Sequence, residues 1–301
     1  MSSIPKQLAT FVAVLAVLFS GGAIAGQLID ADAPHEGDAD ASGHGAGQTH
    51  EDSEAPAAGD GAAHSGAAPE VRGLAVSDAG LRVVVERPEL RRGEPATLAY
   101  RIVDQSGTVV RDLDVTHEKR MHLILARRDL TGFQHLHPEM ARDGAWRVQV
   151  TLPEPGSYRL FADFSYQDEA ITLATDLRVD GDADLVDLPA PQPVGLSDGG
   201  YDVRLDTTDA GAGEESELEF EISRDGETVS TEPYLGAGGH LVALREGDLA
   251  FLHVHPIEHD EQGAGVRFAA TFPTAGRYRL FLQFKHDGRV QTVAFTHRVT
   301  R

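Results

Sequence analysis

Short runs of apolar residues alternate with polar ones over most of the chain from Val71 onward. The runs are rich in Val, Leu, Phe and Tyr, and Gly, Pro and Asp separate them. Alternation with a period of two is typical of strands that bury one face, and we find no convincing helical period here. The pattern predicts an all-β fold with about seven strands per unit, arranged as antiparallel β-sandwiches of immunoglobulin-like or cupredoxin-like topology.

The β-rich part of the chain repeats itself. MHLILARRDLTGFQHLHP at 121–138 reappears as GHLVALREGDLAFLHVHP at 239–256, an offset of 118 residues. Two further pairs of blocks match at offsets of up to 120 residues. A register kept over a whole unit indicates duplication of one domain. We therefore predict two tandem sandwiches at 71–180 and 198–301, joined by a linker at 181–197.

The amino-terminal segment is hydrophobic. Leu8–Phe19 is an almost unbroken apolar run, and a helix over 8–29 would be about 33 Å long, enough to cross a bilayer. Ala23 and Ala25 also supply the small residues of a signal-peptidase site. We predict that segment 1–29 is either a signal anchor or a cleaved signal peptide. In both cases the rest of the chain is extracytoplasmic, anchored to the cell membrane or secreted.

Segment 30–70 has a different composition. It contains ten carboxylates, four histidines and no Lys or Arg, and it is otherwise dominated by Ala, Gly and Ser. Such a segment cannot bury enough apolar surface to fold, so it predicts a disordered tether. We interpret its histidines as part of a soluble spacer and not as site residues.

Charge and cysteine content exclude several functional classes. The 301 residues carry a formal net charge of -22, which disfavours nucleic-acid binding. The absence of cysteine excludes disulfides, thiolate metal sites and thiol nucleophiles. A metal would have to bind to His, carboxylate, Met or carbonyl groups.

Histidines recur at the same spacing in both units. The candidate metal ligands are His122, His135, His137, His240, His253 and His255. A hairpin turn centred on Gly247 and Asp248 would place the first histidine of the second unit opposite the third and diagonal to the second. A turn at Asp129 and Leu130 would do the same in the first unit. Three imidazoles would then converge in each unit, a ligand set that suits copper first and zinc second.

A structural role for the histidines is the alternative. The face that carries them also carries Ile124, Ala126, Val242 and Leu244, so it is either packed or open to a ligand. Met121 points away from the cluster by strand alternation. Some acidic and histidine side chains occur in one copy only and would complete one site or be solvated: His117, Glu118, His286 and His297.

An enzyme is not expected. The His-x-His pattern is found in cupin metal sites, but the glutamate that a cupin needs is replaced by Ala141 and Arg142 in the first unit and by His259 and Asp260 in the second. We also find no nucleophile elbow and no phosphate-binding loop.

Two longer motifs resemble a known group of proteins. PYLGAGGHLVAL at 233–244, followed by FLHVHP and AGRYRLFLQF, resembles a module of extracytoplasmic heavy-metal-binding or copper-resistance-associated bacterial proteins. With THEKRMHLILARRDLTGFQHLHPEM at 116–140, the arrangement over 72–301 is similar to an actinobacterial family of exported or membrane-anchored tandem β-sandwich proteins. The resemblance implies metal handling.

These observations lead to two functional hypotheses. The first is non-enzymatic binding of copper, or of zinc, for sequestration or delivery outside the membrane, with affinity that falls as pH drops through about 6.5. The alternative is a cell-surface binding or structural module whose histidines only pack. The candidate partners are a metal ion, an envelope protein, and the membrane if the hydrophobic helix is uncleaved.

Overall fold

The structure is a computed structural model that describes residues 71–208, 211–252, 254–257 and 265–301. The signal or anchor segment and the tether that the sequence predicts lie outside the described residues. The described residues form strands, turns and loops without a helix. Consistently, none of them forms a helix long and apolar enough to cross a membrane.

The first sandwich contains ten strands in two five-stranded sheets. In chain order they are β1 (Ser77–Asp78), β2 (Leu81–Val85), β3 (Glu89–Leu90), β4 (Ala96–Asp104), β5 (His122–Arg127), β6 (Gln134–Leu136), β7 (Glu139–Met140), β8 (Trp146–Val150), β9 (Gly156–Tyr166) and β10 (Glu169–Val179). One sheet has the order β1-β2-β4-β8-β7 and the other the order β3-β10-β9-β5-β6. Among these pairs only β3 with β10 is parallel.

The second sandwich repeats this plan. Its strands are β11 (Val194–Leu196), β12 (Tyr201–Thr207), β13 (Glu215–Arg224), β14 (Glu227–Thr228), β15 (His240–Arg245), β16 (Phe251–Leu252), β17 (His255–Pro256), β18 (Gly265–Thr271), β19 (Gly276–His286) and β20 (Arg289–Val299). One sheet has the order β11-β12-β13-β18-β17, with β14 beside β13, and the other has the order β16-β15-β19-β20. The predicted fold of two tandem, mainly antiparallel sandwiches is confirmed.

Each sandwich has its own core, built by strand alternation. Leu123 and Leu125 of β5 point into the first core, as does Met121 just before the strand. Tyrosines fix equivalent corners: the Tyr158 hydroxyl donates to the Glu154 carbonyl at 3.1 Å, and the Tyr278 hydroxyl donates to the Thr274 carbonyl at 2.8 Å. These two tyrosines thus have the same corner role in the two copies.

A third apolar cluster joins the two sandwiches. The outer faces of the sheets that contain β5 and β15 pack against each other, and we call this interface the junction. Its buried apolar residues include Ile124, Ala126, Phe161, Val242, Leu244 and Phe281. Both sandwiches therefore belong to one compact unit. The face shared by these residues and the histidines is packed, one of the two outcomes that the sequence left open.

Aromatic contacts at the junction follow the internal repeat. Phe133 stacks on Phe281 with ring centroids 4.0 Å apart, and Phe251 lies against Phe161 with centroids 5.6 Å apart. Phe133 and Phe251 are equivalent in the two copies, as are Phe161 and Phe281. Each copy thus offers the same two rings to the other, which is the arrangement expected of a pseudo-two-fold interface.

The linker is held by both sandwiches. A buried ion pair joins Arg127 to Asp129 at 2.5 Å in the turn after β5, and both side chains are at most 5% exposed. Arg127 also donates to the Asp184 carbonyl, and Asp129 accepts from the Val186 amide at 3.0 Å. From the other side, Arg277 donates to the Leu188 carbonyl at 3.2 Å. The linker path is therefore fixed by charged groups.

We predict that Asp129→Ala lowers the free energy of unfolding by about 3–5 kcal/mol, because it leaves the Arg127 guanidinium buried without its counter-charge. The matched control is Asp206→Ala, which breaks an ion pair whose side chains are 59% and 55% exposed. The control should cost less than about 1 kcal/mol. Urea unfolding of the two variants measures the difference, and equal losses would contradict the structural role of the buried pair.

Candidate metal centre

The hairpin of β5 and β6 positions three histidines of the first sandwich. Its ladder pairs Leu123 with Leu136 and Ile124 with His135. The register is the one that the sequence predicted, and it brings His137, just after β6, next to His122. Because Leu123 points into the core, His122 and His135 lie on the opposite face, which is the face of the junction.

These three histidines form a compact group of ring nitrogens. One nitrogen each from His122, His135 and His137 lies within 4.8 Å of the others. The shortest approach is 3.1 Å, between Nδ1 of His122 and Nε2 of His135. Nε2 of His137 is buried and has no hydrogen-bond partner in the described part of the chain. Each residue of the group therefore has a nitrogen available to a metal.

Hydrogen bonds to the outer nitrogens fix which atoms face inward. Nε2 of His122 lies 3.1 Å from the Thr116 carbonyl oxygen, which can only accept, so this nitrogen carries the hydrogen. Nδ1 of His135 lies 2.7 Å from Oε1 of Gln283 and donates to it in the same way. In neutral rings, the facing nitrogens of His122 and His135 then both present lone pairs.

Two lone pairs 3.1 Å apart repel each other unless a cation binds to both. Rotating the Gln283 amide by 180° would reverse the roles, so that Nε2 of His135 donates to His122. The Thr292 hydroxyl, 3.1 Å from Nε2 of Gln283, accommodates both orientations because a hydroxyl donates and accepts. The orientation with Oε1 of Gln283 toward His135 is the one that leaves both nitrogens free for a metal.

His240 brings the second sandwich to the same group. Its ring is parallel to that of His122, with centroids 5.6 Å apart and an interplanar angle of 4°. It also lies 4.9 Å from the ring of His135. His122 and His240 are equivalent residues of the two copies, so the pseudo-symmetry of the junction places their rings next to each other.

His117 approaches the group from a tight turn. Its ring centroid lies 5.7 Å from that of His240 and 6.2 Å from that of His122. His117 and Glu118 both have positive φ, 50° and 64°, in a two-residue turn closed by hydrogen bonds between Thr116 and Lys119. Positive φ at both central residues is the geometry of a type I′ hairpin turn, which fixes where the His117 side chain leaves the backbone.

The other predicted residues have different outcomes. His253 lies outside the described residues. The backbone of His255 pairs with Ala269 in β17 and β18, so the predicted pairing with His240 is not formed. The ladder of β15 and β16 has the predicted register, but it ends at Leu252 before the chain reaches the other sheet. The turn also contains more residues than the predicted two-residue turn, because the Leu249 amide donates to the Arg245 carbonyl.

The remaining histidines of the second sandwich lie elsewhere. His286 bonds through Nδ1 to the Tyr201 hydroxyl at 2.8 Å. The ring of His297 contacts Phe272 at 5.2 Å between centroids. Neither contact involves the group of His122, His135 and His137.

The polar residues that support the cluster were missed by sequence reasoning. Strand β9 places Asp163 beside His122, and β19 places Gln283 beside His240. Asp163 accepts from the Thr172 hydroxyl at 2.6 Å. Gln283 contacts Thr292 in the equivalent place of the second copy. The alignment of the repeats places Asp163 and Gln283 at matching positions, and this was the available signal.

Burial keeps the cluster uncharged. Burial, together with the nearby His122 and His137, lowers the pKa of His135 to about 3. It lowers the pKa of His137 to about 4, and it also lowers the pKa values of His122 and His240. His135, His137 and His240 are half-buried, and His122 is buried. Neutral imidazole is the ligating form, so metal would meet little competition from protons until well below pH 6.5.

We predict that the metal-free protein loses stability as pH falls from about 6.5 to about 4. In this range the unfolded histidines, with pKa values near 6.5, bind protons that the folded His135 and His137 do not. Each such residue contributes a slope of up to about 1.4 kcal/mol per pH unit. The loss levels off below the folded pKa values.

Urea unfolding in a chelator at several pH values between 4.5 and 7 measures this slope. His135→Gln should flatten it by one such contribution, whereas His286→Gln serves as the control outside the cluster. An unchanged slope in His135→Gln would show that His135 titrates normally.

Comparison with protein families matches residues 75–181 and 195–301 to a family described as a domain of unknown function, DUF8832. The chain belongs to this family. The two DUF8832 domains confirm the tandem duplication that the repeated blocks predicted, while the domain limits 71–180 and 198–301 stay predictions. The comparison supports neither the actinobacterial source nor the resemblance to the heavy-metal-binding module.

Solved structures show only distant similarity to this DUF8832 protein. An Escherichia coli adhesin, FdeC, is 16% identical over 75% of this chain and 66% of that chain, with a TM-score of 0.26. A Salmonella alpha-2-macroglobulin is 13% identical over 77% and 15% of the two chains, with a TM-score of 0.27. A marsupial T cell receptor is 9% identical over 74% and 100%, with a TM-score of 0.24. The chain thus spans just under two thirds of the adhesin chain.

TM-scores this low give no basis for inferring function. A search of curated proteins found no match.

Proposed function

We propose that this protein binds a transition-metal ion, copper first and zinc second, at the junction of its two sandwiches. The observation that carries the proposal is the 3.1 Å approach of Nδ1 of His122 and Nε2 of His135. With their outer nitrogens donating to Thr116 and Gln283, both facing atoms have lone pairs. A bound cation turns this repulsion into coordination.

The spacing of the nitrogens fits such an ion. Metal–nitrogen bonds of about 2.0–2.1 Å in a tetrahedral site put ligand nitrogens about 3.3 Å apart. The approach of His122 to His135 is close to this value. The nitrogen of His137, within 4.8 Å of the others, needs only a small side-chain movement to join them. The hydrogen bonds on the outer nitrogens are the support that metal-binding imidazoles usually have.

The ligand set is composed of nitrogen atoms, and it draws on both sandwiches. Met121 lies in the core of the first sandwich, so its sulfur is not offered to the site. The partially exposed His240, stacked on His122, is the candidate fourth ligand. Imidazole sites suit Cu(II) and Zn²⁺, and Cu(II) forms the tighter complex in the divalent series. The proposed role is non-enzymatic sequestration or delivery of the ion, outside the membrane.

Calorimetric titration of the full chain with Cu(II), and separately with Zn²⁺, tests the proposal. We predict one site of micromolar or tighter affinity that is lost in His135→Leu and retained in His286→Gln. The tether histidines are unchanged in both variants, so they cannot account for a difference. Circular dichroism and thermal melting of each variant check that it folds.

Electron paramagnetic resonance of the copper complex tests the contribution of the second sandwich. We predict that His240→Leu removes one coupled nitrogen from the spectrum and weakens binding. An unaltered spectrum would restrict the site to the hairpin of the first sandwich.

Gln283 is a positioning residue in this proposal, because it acts on the metal only through His135. Gln283→Leu should weaken metal binding by about 10–100-fold, the usual effect of losing such a support. Gln283→Glu, whose carboxylate also accepts from Nδ1 of His135, should restore much of the affinity. Equal affinity in wild type and Gln283→Leu would contradict this role.

The alternative function is a cell-surface binding or structural module. In that case His135 ties the sandwiches together through its bond to Gln283, and His122 holds the turn at Thr116 within the first sandwich. Neither metal binding nor a change in melting temperature on adding a chelator would then be seen. Pull-down of a specific envelope component by the His135→Leu variant would support this alternative.

A further inference from the structure

An open cleft lies beside the junction, next to the candidate metal centre. It has a volume of about 620 Å³, and both sandwiches contribute to its lining. Phe133, Phe281 and Ala294 form apolar walls, while Arg279 is the cationic residue of the lining. A volume of this size lies within the range of small-molecule sites.

Arg279 lacks the carboxylate partner that its counterpart has. In the first copy, Arg159 forms an ion pair with Asp176, Nε to Oδ1 at 3.1 Å, and the two residues are paired across β9 and β10. In the second copy the equivalent cross-strand partner of Arg279 is Thr296. The Arg279 guanidinium donates to the Thr296 hydroxyl at 3.0 Å, and no carboxylate among the described residues forms an ion pair with it.

A partly buried guanidinium without a counter-charge is costly, and burial lowers the pKa of Arg279 accordingly. Asp198 also lines the cleft, but it is exposed and does not contact the guanidinium. The duplication shows which group is missing, because the same arginine in the other copy binds a carboxylate.

We propose that this cleft binds a small organic carboxylate with an apolar body. The carboxylate supplies to Arg279 the counter-charge that Asp176 supplies to Arg159, and it accepts hydrogen bonds from the Arg279 guanidinium. The apolar body lies against Phe133, Phe281 and Ala294. The inference does not depend on a bound metal.

Benzoate is a suitable probe, with benzamide as its uncharged analogue and inorganic phosphate as an anion without an apolar body. Calorimetry and the NMR signal of the Arg279 side chain are followed in the full chain with a chelator present. We expect saturable benzoate binding that shifts the Arg279 signal, with much weaker binding of benzamide and phosphate. Equal binding of benzamide would overturn the role of the charge, and equal binding of phosphate would overturn the role of the apolar walls.

Two variants separate ligand binding from folding. Thr296→Asp rebuilds the ion pair of the first copy, so the protein stays folded while benzoate binding weakens by at least about tenfold. Arg279→Gln should abolish binding. Arg159→Gln is the matched control and should leave benzoate binding unchanged. If Thr296→Asp folds as the wild type does and still binds benzoate normally, the proposal is wrong, whatever the outcome of the metal titrations.

Discussion

The apolar contact between the outer faces of two sheets is the interaction on which the rest of this structure depends. A sandwich normally buries one face of each sheet and leaves the other to solvent. Here the strand His122–Arg127 is buried on both faces, one in the core of its own sandwich and one at the junction. Because the junction is apolar around its centre, it can hold neutral imidazoles at one edge and bring His240 to His122. Without it, each sandwich would keep only its own histidines.

The two copies use one scaffold for different chemistry. The equivalent phenylalanines keep their places, and so do the two central histidines. In contrast, Asp163 is replaced by Gln283, Asp176 by Thr296 and His117 by Leu235. Leu235 has a positive φ of 55°, as His117 has one of 50°, so even the turn conformation is retained while the side chain changes. The scaffold is thus repeated more faithfully than the polar groups around the junction, and the two edges of a pseudo-symmetric interface become chemically distinct.

Much of the fold could be predicted from the sequence, because strand alternation and the internal repeat are both visible in the order of the residues. The register of the first hairpin could also be predicted, from the position of its turn at Asp129 and Leu130. The sequence could not show that the second face of a strand such as HLILAR packs against another copy instead of solvent. It therefore indicated two separate three-histidine sites. The register of the second hairpin was also predicted, but a register does not say where a ladder ends, so the pairing of His240 with His255 was wrong. Gln283 was missed because its contact with His135 crosses the junction.

The docked linker has a consequence for how the two halves find each other. A connection between two modules sets the local concentration of one around the other, and a shorter span raises it. Since Asp184 and Val186 are bonded to the turn of the first sandwich, the free length that remains before the second sandwich is short. If the junction opens, closure within the chain competes strongly with capture of the same apolar face by another molecule. The docked linker therefore keeps the two halves of a self-complementary surface close to each other within one chain.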